Sequence, residues 1–271
     1  MSRNRIDKNI MNDAIVIVGY GNVGHHLLMA FTKNTDHKIF VLCKKKMDTV
    51  PISNPSVYWI DESELPEKSP LYCFLTVRDD QIKKTAESLP KNWLKESTIV
   101  HCSGVLAADY LKQICTHFAL FYPLNSFSKE IPFVWDDVPV FIDSSDKSDK
   151  QELNVLAEKF GAKPIENNDS IREQLHVAAV MVNNFTNHWF RLAAEYLEEK
   201  EIPFKYLLPL IRTTISKLDY ESPEKAQTGP AIRGDINTID KHLKMITKME
   251  VLELYKKMSA SINPSIKDKL E

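Results

Sequence analysis

The first half of the chain alternates short apolar runs with amphipathic stretches. Several runs are apolar nearly throughout, which is typical of strands buried on both faces of a parallel sheet. Alternation of such strands with helices at this spacing predicts a doubly wound α/β fold with a mostly parallel sheet. The predicted strands are Ala14–Val18, Lys38–Cys43, Val57–Ile60, Leu71–Val77, Thr98–Cys102, Phe118–Leu124 and Pro139–Asp143, and the predicted helices are Val23–Thr32, Asp79–Leu89, Leu106–Cys115 and Lys147–Phe160.

The pattern changes after about residue 167, where helical periodicity replaces the alternation. One long amphipathic helix is predicted from Ser170 to Lys200, and a further helical stretch runs from Asp235, its expected N-cap, to about Ile262. We therefore expect a sheet domain over residues 1–167 and an all-helical domain over residues 168–271. The broad apolar face of the long helix predicts a homodimer through this second domain, and its members are Leu175, Ala179, Val182, Thr186, Trp189, Ala193 and Leu197.

A glycine motif stands at the junction of the first predicted strand and helix. G-x-G-x-x-G is a weak signal alone, but after a strand and at the start of a helix it is the fingerprint of a dinucleotide site. The first glycine allows a tight turn, the second lets a diphosphate approach the backbone, and the third lets the helix pack close to the strand. The helix N-terminus would offer N–H groups and partial positive charge to the phosphates. The expected binding residues are Gly19, Tyr20, Gly21, Asn22, Val23 and Gly24; the alternative is a tight turn without a ligand.

The end of the second predicted strand bears on which dinucleotide is bound. NAD sites place Asp or Glu there, where its carboxylate accepts hydrogen bonds from the ribose. In this chain Cys43 holds that position and is followed by Lys44, Lys45 and Lys46. Without a carboxylate to repel a 2′-phosphate, and with ammonium groups to attract it, NADP is favoured over NAD. The alternative is a solvated lysine run in a loop.

Two further predicted strands end in the segments TVRDDQI and HCSG. Ligands of doubly wound folds lie outside the carboxyl ends of the strands, so residues there are expected to line the ribose and nicotinamide end of the site. Asp79 or Asp80 is expected to cap the following helix instead. The candidate lining residues are Thr76, Val77, Arg78, Asp79, Cys102, Ser103 and Gly104.

Candidate catalytic residues come from a polar stripe beside the apolar face of the long helix. It contains His176, a candidate acid, and Asn183, an orienting amide, followed by Asn187 and Arg191, which are expected to face solvent. The alternative is that such residues make interhelical hydrogen bonds.

Other residues complete the predicted site. Tyr122 is a second candidate proton donor, and Arg233 a third. Thr228 and Arg233 are candidate substrate-binding residues, with Arg233 suited to an anionic group.

Composition narrows the function classes. The chain has 271 residues, 43% of them hydrophobic, and a formal net charge of −2, so neither nucleic acid nor a membrane surface is an expected partner. No apolar run approaches the roughly 20 residues that span a bilayer, and the polar N-terminus lacks a secretory signal, so a cytoplasmic location is expected. The four cysteines are expected to be small buried thiols, and no metal site is predicted.

Five segments together carry a family resemblance: VGYGNVGHHL, TVRDDQI, HCSG, YPLNSFSK and AQTGPAIRGDINTIDKHL. They resemble a bacterial family of Rossmann-like NADP oxidoreductases whose C-terminal helical part is a domain of unknown function. More distantly, the layout resembles pyrroline-5-carboxylate reductases, deazaflavin-dependent NADP oxidoreductases and the 6-phosphogluconate-dehydrogenase-like superfamily. The resemblance implies a Rossmann domain, a helical dimerisation domain and NADP as cofactor.

The chain departs from those relatives in two places. Hydroxyacid dehydrogenases of the superfamily carry a lysine four residues before an asparagine on the first long helix, where this chain has Ala179 and Val180. Their mechanism is therefore not transferred. The serine- and glycine-rich stretch that opens this helix in pyrroline-5-carboxylate reductases is also missing, which weakens proline synthesis as the role.

These observations predict an NADP-dependent oxidoreductase that reduces a small C=O or C=N compound in a cleft between the two domains. His176 is the first candidate for the proton donor. The alternative is a non-catalytic NADP-binding sensor or assembly protein, which the missing lysine motivates.

Overall fold

The computed structural model describes residues 13–43 and 52–270. The chain divides into two compact units, Met1–Met181 and Val182–Glu271. The first unit includes a helix that the sequence assigned to the second domain, so the unit division lies later in the chain than residue 167. The boundary between independently folding domains stays a prediction.

In the part of the chain that the structure describes, eight strands form one sheet in the order β3-β2-β1-β4-β5-β6-β7-β8. Every neighbouring pair is parallel except β6 with β7. The strand order reverses at β1, whose two neighbours are β2 and β4, and this confirms the predicted doubly wound fold. The strands are β1 Ala14–Val18, β2 Lys38–Leu42, β3 Val57–Ile60, β4 Tyr72–Leu75, β5 Thr98–His101, β6 His117–Pro123, β7 Pro139–Ser144 and β8 Lys163–Glu166.

Helices cover both faces of this sheet. They are α1 Asn22–Asn34, α2 Asp79–Glu87, α3 Trp93–Glu96 and α4 Lys147–Phe160, and a further helix, α5 Asp169–Ala179, follows β8. Ile15 and Ile17 of β1 pack in the cluster that contains residues of α1 and α4, whereas Val16 packs in the cluster that contains residues of α2 and α3. Burial on both faces explains why the β1 segment is apolar at every position.

Two predictions about the first unit are wrong. The segment Leu106–Cys115 forms turns instead of a helix. Its backbone groups are used by distant side chains, because the Ala107 carbonyl accepts from His101 and the Ala108 N–H donates to Asp169. The edge strand β8 was missed because Lys163–Glu166 contains Pro164, a residue that sheets tolerate at their edges.

Helix ends follow the expected chemistry in one helix and depart from it in another. α4 ends at Gly161, which adopts the left-handed conformation with φ 91°, as is typical of a C-cap glycine. The N-cap of α2 is Arg78 and makes no side-chain capping bond, so the expected cap by Asp79 or Asp80 is wrong. Both carboxylates lie in the first turn, where their negative charges interact favourably with the positive end of the helix dipole.

All the regular secondary structure in the described part of the second unit is helical. The expected single helix from Ser170 to Lys200 is interrupted by a π-helical segment, Val180–Phe185, and the expected stretch from Asp235 is two helices. Asp235 caps the first of them by accepting from the Thr238 N–H at 3.1 Å, as predicted. The helices are α6 Thr186–Glu198, α7 Leu208–Ser216, α8 Pro223–Ala226, α9 Ile236–Met245 and α10 Met249–Ile262.

The core of this unit is small. Its buried cluster consists of Ala231, Ile239, Ile266 and Leu270. None of the helices within residues 13–43 and 52–270 combines the length and the apolar character that crossing a bilayer requires.

Candidate functional site

The glycine loop joins the end of β1 to α1 and is tied to both neighbouring strands. Gly19 has φ 97°, a conformation that side chains with a Cβ rarely adopt. Its N–H donates to the Leu42 carbonyl at 3.0 Å, next to the end of β2. Its carbonyl accepts from the Thr76 hydroxyl, just beyond β4, at 2.8 Å. These bonds hold the loop at the switch point of the sheet.

Gly24 and Gly21 lack side chains for different reasons. A Cβ at Gly24 would lie 2.4 Å from the Gly19 carbonyl oxygen and 2.6 Å from the Thr76 Oγ1, so packing alone requires a glycine. A Cβ at Gly21 would meet only the Thr76 carbonyl oxygen, at an ordinary 3.8 Å. Since packing does not require Gly21, its bare backbone is free to serve an approaching group.

The N-terminus of α1 fits an anion. Its N-cap is Gly21, without a side-chain capping bond, and its first turn contains no acidic residue. The first turn of a helix has N–H groups without intrahelical partners and carries partial positive charge. A diphosphate would accept hydrogen bonds from these N–H groups, and its negative charge would interact favourably with the helix end. The residues present therefore fit the dinucleotide predicted from sequence.

An open cleft of about 440 Å³ adjoins this loop at the carboxyl ends of β1 and β2. Its dimensions and partly apolar lining suit an adenosine group. Of the predicted residues, Gly19, Tyr20, Cys43 and Val77 line it. The other lining residues are Val18, Leu42, Glu62, Leu65, Gln81, Lys84, Thr85, Ser88 and Leu89.

Three other residues predicted to bind the cofactor at this end are Arg78, Lys44 and Lys45. Arg78 is highly exposed and pairs with Asp80 at 3.1 Å. Lys44 and Lys45 lie outside the described residues.

The turn after β5 carries Ser103 and Gly104. The Ser103 hydroxyl oxygen accepts from the N–H groups of Val105 at 3.2 Å and Leu106 at 3.1 Å, so it shapes this turn. Ser103 itself is buried.

Tyr122 and His176 meet beside Gly104. The Tyr122 hydroxyl lies 3.0 Å from His176 Nδ1, which joins β6 to α5. A Cβ at Gly104 would lie 2.6 Å from that nitrogen and 2.7 Å from Tyr122 Cζ. The two leading candidates for proton transfer are therefore hydrogen-bonded to each other, and the glycine permits their close approach. Burial raises the pKa of Tyr122, so the phenol keeps its proton at neutral pH.

A buried arginine supports this pair and was not found from sequence. Arg172 is 0% exposed, and it donates through Nε to the Gly104 carbonyl at 3.1 Å and through a terminal nitrogen to the Leu106 carbonyl. Its other terminal nitrogen donates to Asn167 at 2.8 Å and to the Asp169 carboxylate at 2.7 Å. A buried charge requires such partners. Arg172 lies one helical turn before His176, so extending the polar stripe backwards would have included it.

His101 at the end of β5 is buried as a neutral ring. Its Nε2 donates to the Ala107 carbonyl at 3.1 Å, and its Nδ1 accepts from the Ser103 N–H at 3.4 Å. Burial, with a smaller contribution from the charge of Arg172, lowers the pKa of His101 to about 4. The ring therefore holds the Ser103 turn only while it is uncharged.

The other predicted site residues belong to the second unit. Asn183 lies in the π-helical segment and is exposed, as are Thr228 and Arg233. The polar stripe assumed a regular α-helix, and π winding changes the angle between successive residues. The regular stripe is therefore wrong beyond Ala179. Asn187 and Arg191 are exposed, as expected. The roles assigned to Asn183, Thr228 and Arg233 stay predictions.

The paired histidines at the start of α1, His25 and His26, both make contacts within the first unit. His26 is buried, and its Nε2 donates to the Ser128 carbonyl at 2.8 Å. His25 is half-buried and its Nδ1 lies 2.8 Å from the Tyr20 hydroxyl. Both rings therefore support the glycine loop and its surroundings.

The cysteines bear out the expectation of inert thiols only in part. Cys73 and Cys115 are buried, whereas Cys43 and Cys102 are half-buried. Burial raises the pKa of all four, that of Cys102 to about 12. Within the described ranges, no three His, Cys, Asp or Glu side chains are grouped as metal ligands.

A known family model matches the C-terminal part of the chain. A family model described as a domain of unknown function, DUF2520, matches residues 138–262. The resemblance to Rossmann-like proteins with a C-terminal helical domain of unknown function is thereby confirmed. The DUF2520 match begins just before β7 and ends with α10, so it includes the last two strands of the sheet as well as the helices.

Solved structures show the same fold. The chain is similar to a protein of Bacteroides fragilis named as a proposed NADP oxidoreductase, with 28% identity, a TM-score of 0.84, and coverage of 94% of this chain and 99% of that chain. An imine reductase of Myxococcus stipitatus in complex with NADP+ gives 13% identity, a TM-score of 0.63 and 94% coverage of both chains. A pyrroline carboxylate reductase of Plasmodium falciparum with NADP bound gives 11% identity, a TM-score of 0.59, and coverage of 93% of this chain and 99% of that chain. The last two likenesses show the fold alone. A comparison with curated protein sequences found no match.

The neutral His101 ring predicts a pH-dependent stability. Its folded pKa of about 4 lies below the ordinary value of 6.5. The unfolded chain therefore binds the proton first as pH falls, and stability decreases between these values. When the pH is lowered from about 7 to about 5, the free energy of unfolding should decrease by about 1–2 kcal/mol because of His101.

Urea unfolding of the wild type and His101→Gln at both pH values measures this contribution. The variant should lose less stability on acidification than the wild type. The pKa of His25 is also lowered, but His25 is present in both proteins and its contribution cancels. Equal losses in the two proteins would contradict the account of His101.

Proposed function

We propose that this protein is an NADP-dependent oxidoreductase that reduces a small C=O or C=N compound. The observation that carries the proposal is the bare loop at the switch point, where Gly24 is required by packing and Gly21 is not. Glycine at a position with room for a side chain supports binding of a diphosphate there. The NADP named for the solved relatives supports the same cofactor.

The backbone around Gly21 would hold the diphosphate, and the cleft next to Cys43 would hold the adenosine. The turn at Ser103 and Gly104 follows a strand nearer the middle of the sheet, which suits the nicotinamide end. When bound, the nicotinamide supplies the hydride; the protein orients the substrate and delivers a proton.

The Tyr122–His176 pair supports proton delivery. The Tyr122 hydroxyl lies 3.0 Å from His176 Nδ1 and occupies that nitrogen with a hydrogen bond, which leaves Nε2 available for proton transfer. In the proposed step the His176 imidazolium gives its Nε2 proton to the oxygen or nitrogen of the reduced bond, which completes an alcohol or an amine and leaves a neutral ring that solvent reprotonates. Arg172 acts through Gly104 as a positioning residue, because it fixes the turn against which the pair packs.

The substrate class is drawn from the same solved relatives. One of them is an imine reductase and another is a pyrroline carboxylate reductase, whose name also implies a C=N substrate. We therefore include C=N beside C=O compounds. Arg233 and Thr228 remain our candidates for contacts to an anionic part of the substrate, and Asn183 for an orienting amide.

We also propose a homodimer through the helical unit. Its surface carries large apolar side chains, including Val182 at 74% exposed, Leu210 at 63%, Tyr220 at 90% and Met249 at 70%. Exposed apolar surface on this scale is typical of a surface that another chain covers. We propose a second copy of this chain as the partner that covers this surface.

Light scattering tests the dimer. We expect a mass of twice 31.1 kDa for the wild type. Val182→Glu should shift the mass toward the monomer, because a carboxylate would be buried in the interface. Val155→Glu, at an exposed valine of the first unit, is the matched control and should remain dimeric. A monomeric wild type at tens of micromolar would contradict the proposal.

Two glycine variants test the cofactor site. Gly21→Ala should unfold at the wild-type temperature but lose NADPH affinity by about tenfold or more, since the methyl group occupies the space of the diphosphate. Gly24→Ala should lose about 1–3 kcal/mol of stability, because its methyl group collides with the Gly19 carbonyl. Calorimetric titration and thermal unfolding measure both. Unchanged NADPH binding by Gly21→Ala would argue against a diphosphate at this loop.

The proton donor is tested by His176→Gln and Tyr122→Phe. Both variants should bind NADPH like the wild type, and His176→Gln should oxidise it about 10²–10⁴-fold more slowly with the best compound in a panel of ketoacids and cyclic imines. An unchanged rate in His176→Gln would exclude His176 as the donor. A wild type that binds NADPH but turns over none of the panel would favour the alternative, a non-catalytic sensor or assembly protein.

A further inference from the structure

The loop between β6 and β7 returns to the glycine loop. Its anchor is Ser128, whose carbonyl accepts from the buried His26 at 2.8 Å. Phe127 and Phe133 pack on the same histidine, with ring centroids 5.5 Å and 5.2 Å away. The loop is therefore fixed beside the N-terminal turns of α1 at the residue before Lys129.

Lys129 lies directly over the glycine loop. Its ammonium group donates to the Tyr20 carbonyl and lies 4.2 Å from the centroid of the Tyr20 ring. The Tyr20 ring in turn contacts the Trp59 ring edge-on, with centroids 4.7 Å apart. Lys129 is half-buried, so salt screens its charge less than that of a fully exposed lysine.

The charge of Lys129 reaches the end of β2. Burial raises the pKa of the Cys43 thiol, and the Lys129 ammonium acts in the opposite direction. Cys43 occupies the position where NAD-binding folds place the carboxylate that contacts the ribose. Lys129 contacts Tyr20, which lines the cleft together with Cys43, so its charge acts next to the strand end where the 2′-substituent of a bound adenosine ribose would lie.

Two titratable groups lie near this charge, and of these Glu130 carries an opposing charge at neutral pH from an exposed position where solvent screens it. Burial, together with the charges of His26 and Lys129, lowers the pKa of His25, so that ring stays neutral. Glu130 is fully exposed, and its carboxylate accepts from the Ser128 hydroxyl at 2.7 Å. The half-buried cation is Lys129.

We propose that Lys129 contacts the 2′-phosphate of NADP and is a specificity-determining residue of the cofactor site. The inference rests on the proposed function and adds a residue that the lysine run after β2 does not include. A phosphate dianion near Cys43 would replace the Tyr20 carbonyl as the acceptor of the ammonium, and a charge-assisted bond to phosphate is the stronger of the two. A ribose with a free 2′-hydroxyl offers no such gain.

Titration of the whole protein with NADPH and NADH, which differ only in the 2′-phosphate, tests this assignment. The wild type should bind NADPH more tightly. Lys129→Met should lose about tenfold or more in NADPH affinity and less than about twofold in NADH affinity, and Lys129→Arg should keep most of the preference. Lys163→Met, on the exposed edge strand β8, is the matched control and should bind like the wild type.

The outcomes separate the two claims. If the wild type binds neither coenzyme, the proposed function fails, and this inference fails with it. If the wild type binds both and Lys129→Met keeps the preference, or loses both affinities equally, only the assignment of Lys129 is overturned. Preference lost in Lys44→Met or Lys45→Met but kept in Lys129→Met would likewise overturn it. Lys129→Arg keeps the test valid should Lys129→Met unfold.

Discussion

The contact between Gly24 and the Gly19 carbonyl is the constraint on which the candidate site depends. No side chain fits between them, so α1 begins directly against the end of β1. Thr76 completes the contact by donating to the same carbonyl. The result places the positive end of a helix at the one point of the sheet where the strand order reverses. The candidate cofactor site thus depends on close backbone packing at the glycine loop.

A second contact of the same kind organises the turn after β5, two strands away from β1 in the sheet. Gly104 lets Tyr122 and His176 approach each other, and Arg172 donates a hydrogen bond to the Gly104 carbonyl. Arg172 is fully buried and its donors reach two carbonyls and two side chains, so it fixes a turn without facing a ligand. Loss of one partner would leave a buried charge uncompensated, which is strongly destabilising.

The sequence predicted a structural feature correctly where that feature is determined by residues close together in the chain. The apolar run of β1, the spacing of Gly19, Gly21 and Gly24, and the cap at Asp235 are local signals, and each was found correctly. The predicted helix at Leu106–Cys115 failed because its backbone bonds to His101 and Asp169, which its own periodicity does not reveal.

The parts of the site that were missed are long-range contacts. Lys129 meets Tyr20 across 109 residues, and Arg172 meets Gly104 across 68. Nothing in either segment alone indicates the partner. The π-helical segment also shifts the stripe that was extrapolated from His176, because a regular turn was assumed.

A crystal structure of the protein with NADPH tests the central claim most directly. The account predicts the diphosphate against the backbone N–H groups of Gly21–Val23 and the nicotinamide C4 beside Gly104, within reach of the Tyr122–His176 pair. A diphosphate bound elsewhere, or a nicotinamide remote from that pair, would contradict it.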